Sequence, residues 1–130
     1  MSSDHAHVNL RRDVEDSVAG RVEGLEGRFG RKLLGSRDLG ISLWTYAAGV
    51  RGGAHSHREQ EEAYVVVSGS GRMRLGDNVI DVAQWDVVRV APEVVRGFEA
   101  GPEGLEVIAV GGPKPEEGDG VRSDSPWPGE

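Results

Sequence analysis

From Arg28 onward the apolar residues fall in short runs, RFGRKLL, ISLWTYA, AYVVVS, RMRL, NVIDV, VVRVA, RGFEA and LEVIAV, each parted from the next by glycine, aspartate or other polar residues. Several short strands at such spacing predict an all-β sandwich or barrel. The turns are explicit: Gly69-Ser70-Gly71 and Gly76-Asp77-Asn78 supply residues that tolerate positive φ between strands. No internal repeat is visible. Residues 1–27 are charged and interrupted by glycines, which predicts an arm with at most a short helical turn around Leu10 to Val18. The barrel is expected over 28–110. After Val110 the chain becomes GGPKPEEGDGVRSDSPWPGE, a tail rich in proline, glycine and acid over 111–130, expected to be extended or disordered. Trp127 is its one anchor, with two readings open: docking on the barrel or a neighbouring subunit, or an incidental exposed tryptophan.

The chain of 130 residues is one domain, large enough to bury a core. Fifteen Lys+Arg against 22 Asp+Glu leave a formal charge of −7, and no basic cluster offsets it. Nucleic acid is therefore not an expected partner, because a phosphate backbone needs a basic face. The absence of cysteine excludes disulfides, zinc knuckles and thiol catalysis. The start MSSDHAHVNLRRD lacks the apolar core of a signal peptide, and no apolar run approaches the ~20 residues of a membrane span. No membrane partner is expected, and the cytoplasm is the expected location.

The chemistry concentrates in GVRGGAHSHREQEEAYVVVSG, Gly49 to Gly69. Side chains alternate along a strand, so His55 and His57 point the same way while Ser56 points the other. A turn through Arg58 to Glu61 brings the carboxylate of Glu62, at the start of AYVVVS, beside the imidazoles. Two neutral imidazoles and one carboxylate suit a divalent transition metal (iron, manganese, nickel, cobalt, copper or zinc) and leave positions open for water or substrate. The pair His5 and His7 repeats the spacing, but on a terminus with no strand and no third ligand near it.

The same run resembles the first motif of the cupins, G-x5-H-x-H-x4-E-x6-G, with Gly49, His55, His57, Glu62 and Gly69 filling every fixed position. The segment Trp85 to Gly101, WDVVRVAPEVVRGFEAG, resembles the second motif poorly. Trp85, Ala91, Glu93, Arg96 and Ala100 stand where the family usually has glycine, proline, glycine, histidine and asparagine, while Asp86, the VVRV strand, Pro92 and Phe98 keep the register. The resemblance implies a small single-domain cupin, a double-stranded β-helix or jelly-roll barrel of two antiparallel sheets. It also implies Arg96 where the fourth metal ligand would be. Arginine has no lone pair to give and stays charged, so it cannot coordinate a metal, and it needs an anion if buried. Three partners are open: Glu62, the carboxylate of a bound ligand, or solvent. Family members are often dimers in which strands of one subunit extend a sheet of the other. A homodimer is therefore expected, with the amino-terminal arm and the RFGRKLL edge as the exchanged parts.

Parity gives the lining. If Glu62 faces inward, so do Tyr64 and Val66, and if Arg96 does, so does Phe98. Arg96, Tyr64 and Phe98 are thus the expected contacts of a small-molecule ligand. Trp44, Tyr46 and Met73 are candidate walls or ordinary core, and Trp85 is expected either to cap the barrel mouth or to pack in the core. Two functional classes follow. One is a metal-dependent enzyme, an oxygenase or isomerase, with Arg96 clamping a carboxylate of its substrate. The other is a non-catalytic binding or sensing barrel, with Glu62 paired to Arg96 and no metal.

Overall fold

The structure, a computed structural model, describes residues 4–130. Its strands are β1 (Leu25–Phe29), β2 (Gly40–Tyr46), β3 (Ala54–His57), β4 (Glu62–Leu75), β5 (Asn78–Ala83), β6 (Val87–Val90), β7 (Arg96–Gly111) and β8 (Gly120–Ser123), and a one-turn helix α1 (Arg31–Leu34) follows β1. The two longest strands organise the rest. The first half of β4 pairs with the second half of β7, from Glu62↔Gly111 to Gly69↔Leu105, and their other halves pair from Gly71↔Ala100 to Leu75↔Arg96. Each long strand therefore serves two layers. One layer runs β1-β2-β7-β4-β6 and the other β5-β4-β7-β3-β8, with all pairings antiparallel. This is the all-β double-stranded β-helix expected from the sequence.

The long strands also revise the expected breaks. AYVVVS and RMRL are one strand, as are RGFEA and LEVIAV. Gly69-Ser70-Gly71 is an irregularity inside β4, where the register shifts, and not a turn. Gly69 has φ 76 and faces Gly104, with φ 82, so closely that a Cβ on Gly69 would collide with the Gly104 carbonyl. Only glycine permits that approach, and it lets one strand pass between layers without ending. By contrast Gly76-Asp77 is a true two-residue turn, with Leu75 opposite Asn78 and Gly76 at φ 60.

RFGRKLL stops being a strand at Phe29. Arg31 to Leu34 are not branched at Cβ and have good helix propensity, and Gly35, in the left-handed region, ends the turn by donating its N–H to the carbonyls of Arg31 and Lys32. In the arm, Asn9 Oδ1 accepts from the amides of Arg11 and Arg12 and makes a single turn. Farther along, Asp16 bridges to Arg28, and its carboxylate accepts from the amides of Val18 and Gly27. The arm thus lies along the outer edge of β1 and buries Val14 and Val18.

The core between the layers contains Val66, Met73, Leu105 and Val107, all essentially inaccessible. Burying each such side chain stabilises the fold by about 1.5–3 kcal/mol. The carboxy-terminal segment is extended: β8 pairs with β3, from Ala54↔Ser123 to His57↔Gly120. Trp127 is buried, with the guanidinium of Arg51 4.3 Å from its ring centre. Trp85 is neither a cap nor a core residue. It sits 69% exposed on the turn before β6 with φ 75, a conformation that favours glycine. Among the described residues no helix is long and apolar enough to cross a membrane.

Candidate metal centre

The strand β3 carries His55 and His57 on one face, and its partner in β7 sets Arg96 directly opposite His55. The loop to β4 is pinned from below. Asp119 Oδ2 accepts from the amides of Glu59 and Gln60, each at 2.7 Å, and the Gln60 side chain donates to the Gly112 carbonyl. That shape delivers Glu62 to the imidazoles. Ligand atoms of His55, His57 and Glu62 all lie within 4.8 Å of one another, the one such group of three or more among the described residues. Glu62 Oε1 is 3.0 Å from His57 Nε2 and 3.7 Å from His55 Nε2. His5 and His7 sit exposed on the arm and belong to no such group.

The contacts of His57 define what the site needs. Its Nδ1 is 2.9 Å from Asp119 Oδ1, and a carboxylate can only accept, so Nδ1 carries the proton. On a neutral ring Nε2 then presents a lone pair to a carboxylate oxygen 3.0 Å away. Nε2 is buried and has no hydrogen-bond partner, although Glu62 Oε1 lies 3.0 Å away. Two acceptors at that distance repel unless a cation lies with them. A proton is one solution: burial opposes the imidazolium, but Glu62 and Asp119 outweigh it and hold the His57 pKa above that of an ordinary histidine. A divalent metal is the other, and two Nε2 atoms with one carboxylate are a donor set that fits it.

Glu62 is ionised. Burial pushes its pKa up, but contacts with His55, His57 and Tyr64 more than reverse this and hold it well below the usual carboxylate range. The Tyr64 hydroxyl donates to Glu62 Oε1 at 2.5 Å, and burial together with that anion keeps the phenol protonated far into alkali. Arg96 is fully buried. Its Nη1 donates to the carbonyls of Pro92 (3.0 Å) and Val94 (2.8 Å), its Nη2 reaches Ala91, and Glu62 Oε1 lies 3.7 Å from Nη2. Of the three open partners, the structure therefore sets Glu62 beside Arg96, together with backbone carbonyls.

Two cavities meet at the site and share Trp44, His55 and Tyr64. The larger, about 580 Å³, has walls of Val18, Val22, Leu25, Tyr46 and Phe98, and its charged lining is Arg21, Arg96 and Arg122 with no carboxylate. The smaller, about 240 Å³, reaches His57 and Glu62. Tyr64 and Phe98 are buried and stack edge to face at 5.3 Å, whereas Met73 belongs to the core alone. Asp119 escaped sequence reasoning because it lies in a polar tail with no periodicity to mark it as buried.

A search of curated proteins finds no match. Solved structures match the fold closely. An uncharacterized conserved protein with a double-stranded β-helix domain from Klebsiella pneumoniae aligns with TM-score 0.73 at 19% identity, covering 95% of this chain and 100% of that one. The polyketide cyclase RemF from Streptomyces resistomycificus aligns with TM-score 0.74 at 15% identity, covering 95% and 88%. A variant of oxalate decarboxylase from Bacillus subtilis aligns with TM-score 0.74 at 21% identity, covering 92% of this chain but 34% of that one. At these identities the likeness is one of fold. The sequence itself matches the cupin domain family over residues 42–111, from the second strand to the end of β7, and the chain is a member of that family.

Proposed function

We propose that this barrel binds one divalent transition metal through His55, His57 and Glu62, and beside it a small ligand bearing a carboxylate. The observation that carries the reading is the buried, unpartnered Nε2 of His57 facing the ionised Glu62, an arrangement that calls for a cation. When bound, such a metal supplies Lewis acidity or a route to dioxygen chemistry. The chain's own residues do the rest. Trp44, Tyr46, Tyr64 and Phe98 offer an aromatic body a wall, and Tyr64 holds a proton next to Glu62. Arg96 adds positive charge to the lining while its Nη donors stay committed to carbonyls. A divalent ion would find carboxylates at Glu62 and Asp119 but a guanidinium at Arg96, and the positive charge left over favours an anionic ligand.

One observation favours a second reading. The guanidinium of Arg96 is buried, and Glu62 is the one carboxylate in ion-pair range of it among the described residues. A barrel in which that pair replaces the metal would be a binding or sensing module without turnover. Metal analysis by mass spectrometry of purified, untagged protein and of the His57→Ala variant separates the two. Near one metal per chain, lost in the variant, supports the first. No metal after loading with iron, manganese, nickel and zinc contradicts it.

A further inference from the structure

The family match ends at residue 111, yet a residue beyond it, Asp119, is built into the site. Its side chain is 1% exposed. Removing an ionised carboxylate from water costs several kcal/mol unless donors replace the water, and Asp119 has three: the amides of Glu59 and Gln60 and the Nδ1–H of His57. Its carbonyl also accepts from the Arg58 amide at 3.1 Å. One residue of the tail thus fixes the loop that delivers Glu62 and the ring orientation of His57.

The chain after Asp119 is held as well. The next residues form β8 against β3, so the tail runs beside both histidines. Farther on, Arg74 donates to the carbonyl and hydroxyl of Ser125 at 2.7 and 2.6 Å. Trp127 packs under Arg51, and Glu130 takes both Nη atoms of Arg51. Residues 118–130 form a strap tied at the site by Asp119 and at the far end by Trp127.

We propose that Asp119 is a positioning residue of the metal centre, and that docking of the strap and metal binding at His55, His57 and Glu62 strengthen one another. The inference rests on the metal reading above. A carboxylate bonded to the second nitrogen of a ligating histidine orients the ring and raises its basicity. If the strap improves metal affinity, the metal must stabilise the docked strap by the same factor. Asparagine at this position is the informative change. Its amide must turn its NH2 either toward two backbone donors or toward His57 Nδ1. The second choice moves the ring proton to Nε2 and blocks the ligand lone pair.

The experiment measures affinity for Zn²⁺ and Mn²⁺ by chelator competition, the His57 tautomer by ¹⁵N shifts of metal-free protein in alkaline buffer, and hydrogen exchange of residues 118–123 with and without metal. For Asp119→Asn the expected results are a loss of about 10- to 100-fold in affinity, a shift from the Nδ1–H to the Nε2–H tautomer, and loss of the protection that metal confers on the wild-type strap. Equal affinity and an unchanged tautomer in a folded variant would overturn the inference. Should that variant not fold, Trp127→Ala loosens the far end without touching the site. Faster strap exchange with reduced affinity supports the coupling, and faster exchange with unchanged affinity overturns it. A wild-type chain that binds neither metal overturns the metal reading itself and this inference with it, an outcome distinct from equal affinities in wild type and variant.

Discussion

His57 has a carboxylate on each ring nitrogen, Asp119 at 2.9 Å and Glu62 at 3.0 Å, and the two play different parts. The first is satisfied by a proton that the ring already holds, and on the proposed reading the second is met by a metal ion. Arg96 Nη2 lies 3.7 Å from the same Glu62 oxygen and would compete with that metal for it. Replacing it with a ligand should therefore tip the site. Arg96→His is expected to raise metal affinity by at least about tenfold, equivalent to ~1.4 kcal/mol, because it removes a charge and adds an imidazole; unchanged affinity in calorimetric titration would count against the assigned geometry. Trp85 illustrates a cost borne at one residue. A non-glycine residue in the left-handed region carries about 1–2 kcal/mol of strain, and this side chain is too exposed to recover it by packing. Trp85→Gly should raise the melting temperature, and a lower one would show that the indole makes a stabilising contact.

At the scale of elements, what was legible depended on whether a local pattern has one structural meaning. His-x-His on a strand does, because parity alone puts both rings on one face, and Gly76-Asp77 does as a turn. Gly69-Ser70-Gly71 does not. The same glycines that could end a strand let β4 continue past Gly104 into the other layer, and only the tertiary approach decides between them. RFGRKLL failed for a related reason: its strand half is held by pairing with β2, while its second half follows helix propensity and the Gly35 cap. The tail was least legible, because its order comes from charges that find partners far away in sequence. Its far end also predicts a pH dependence. Arg72 and Arg51 hold the Glu99 carboxyl below its usual 4.5, and Arg51 does the same for Glu130. Each is more acidic folded than unfolded. Its contribution is complete above about pH 4.5 and is lost as the pH falls through the lower folded value. Thermal melts at about pH 6 and pH 3 should show a smaller acid loss for Glu99→Gln than for wild type; an identical loss would mean that the pairing of Glu99 with Arg72 and Arg51 adds nothing to stability.

Across the whole molecule, the charge distribution and the site agree. A chain with formal charge −7 nonetheless collects Arg21, Arg96 and Arg122 around its larger cavity, with no acid in that lining. Arg21 comes from the amino-terminal arm and Arg122 from the strap, so both termini shape the cavity around the family's barrel. Three metal-ligand candidates were legible from the sequence because they lie close together along the chain, on β3 and at the start of β4. Asp119 and the arm were not, because only folding brings them there. The proposed divalent cation between His55, His57 and Glu62 is best sought by anomalous X-ray diffraction at the absorption edge of crystals soaked in Mn²⁺ or Zn²⁺. One strong peak is expected about 2.0–2.2 Å from Nε2 of each histidine and from the Glu62 carboxylate. Peaks confined to surface acids, with His57 still ion-paired to Glu62, would contradict it.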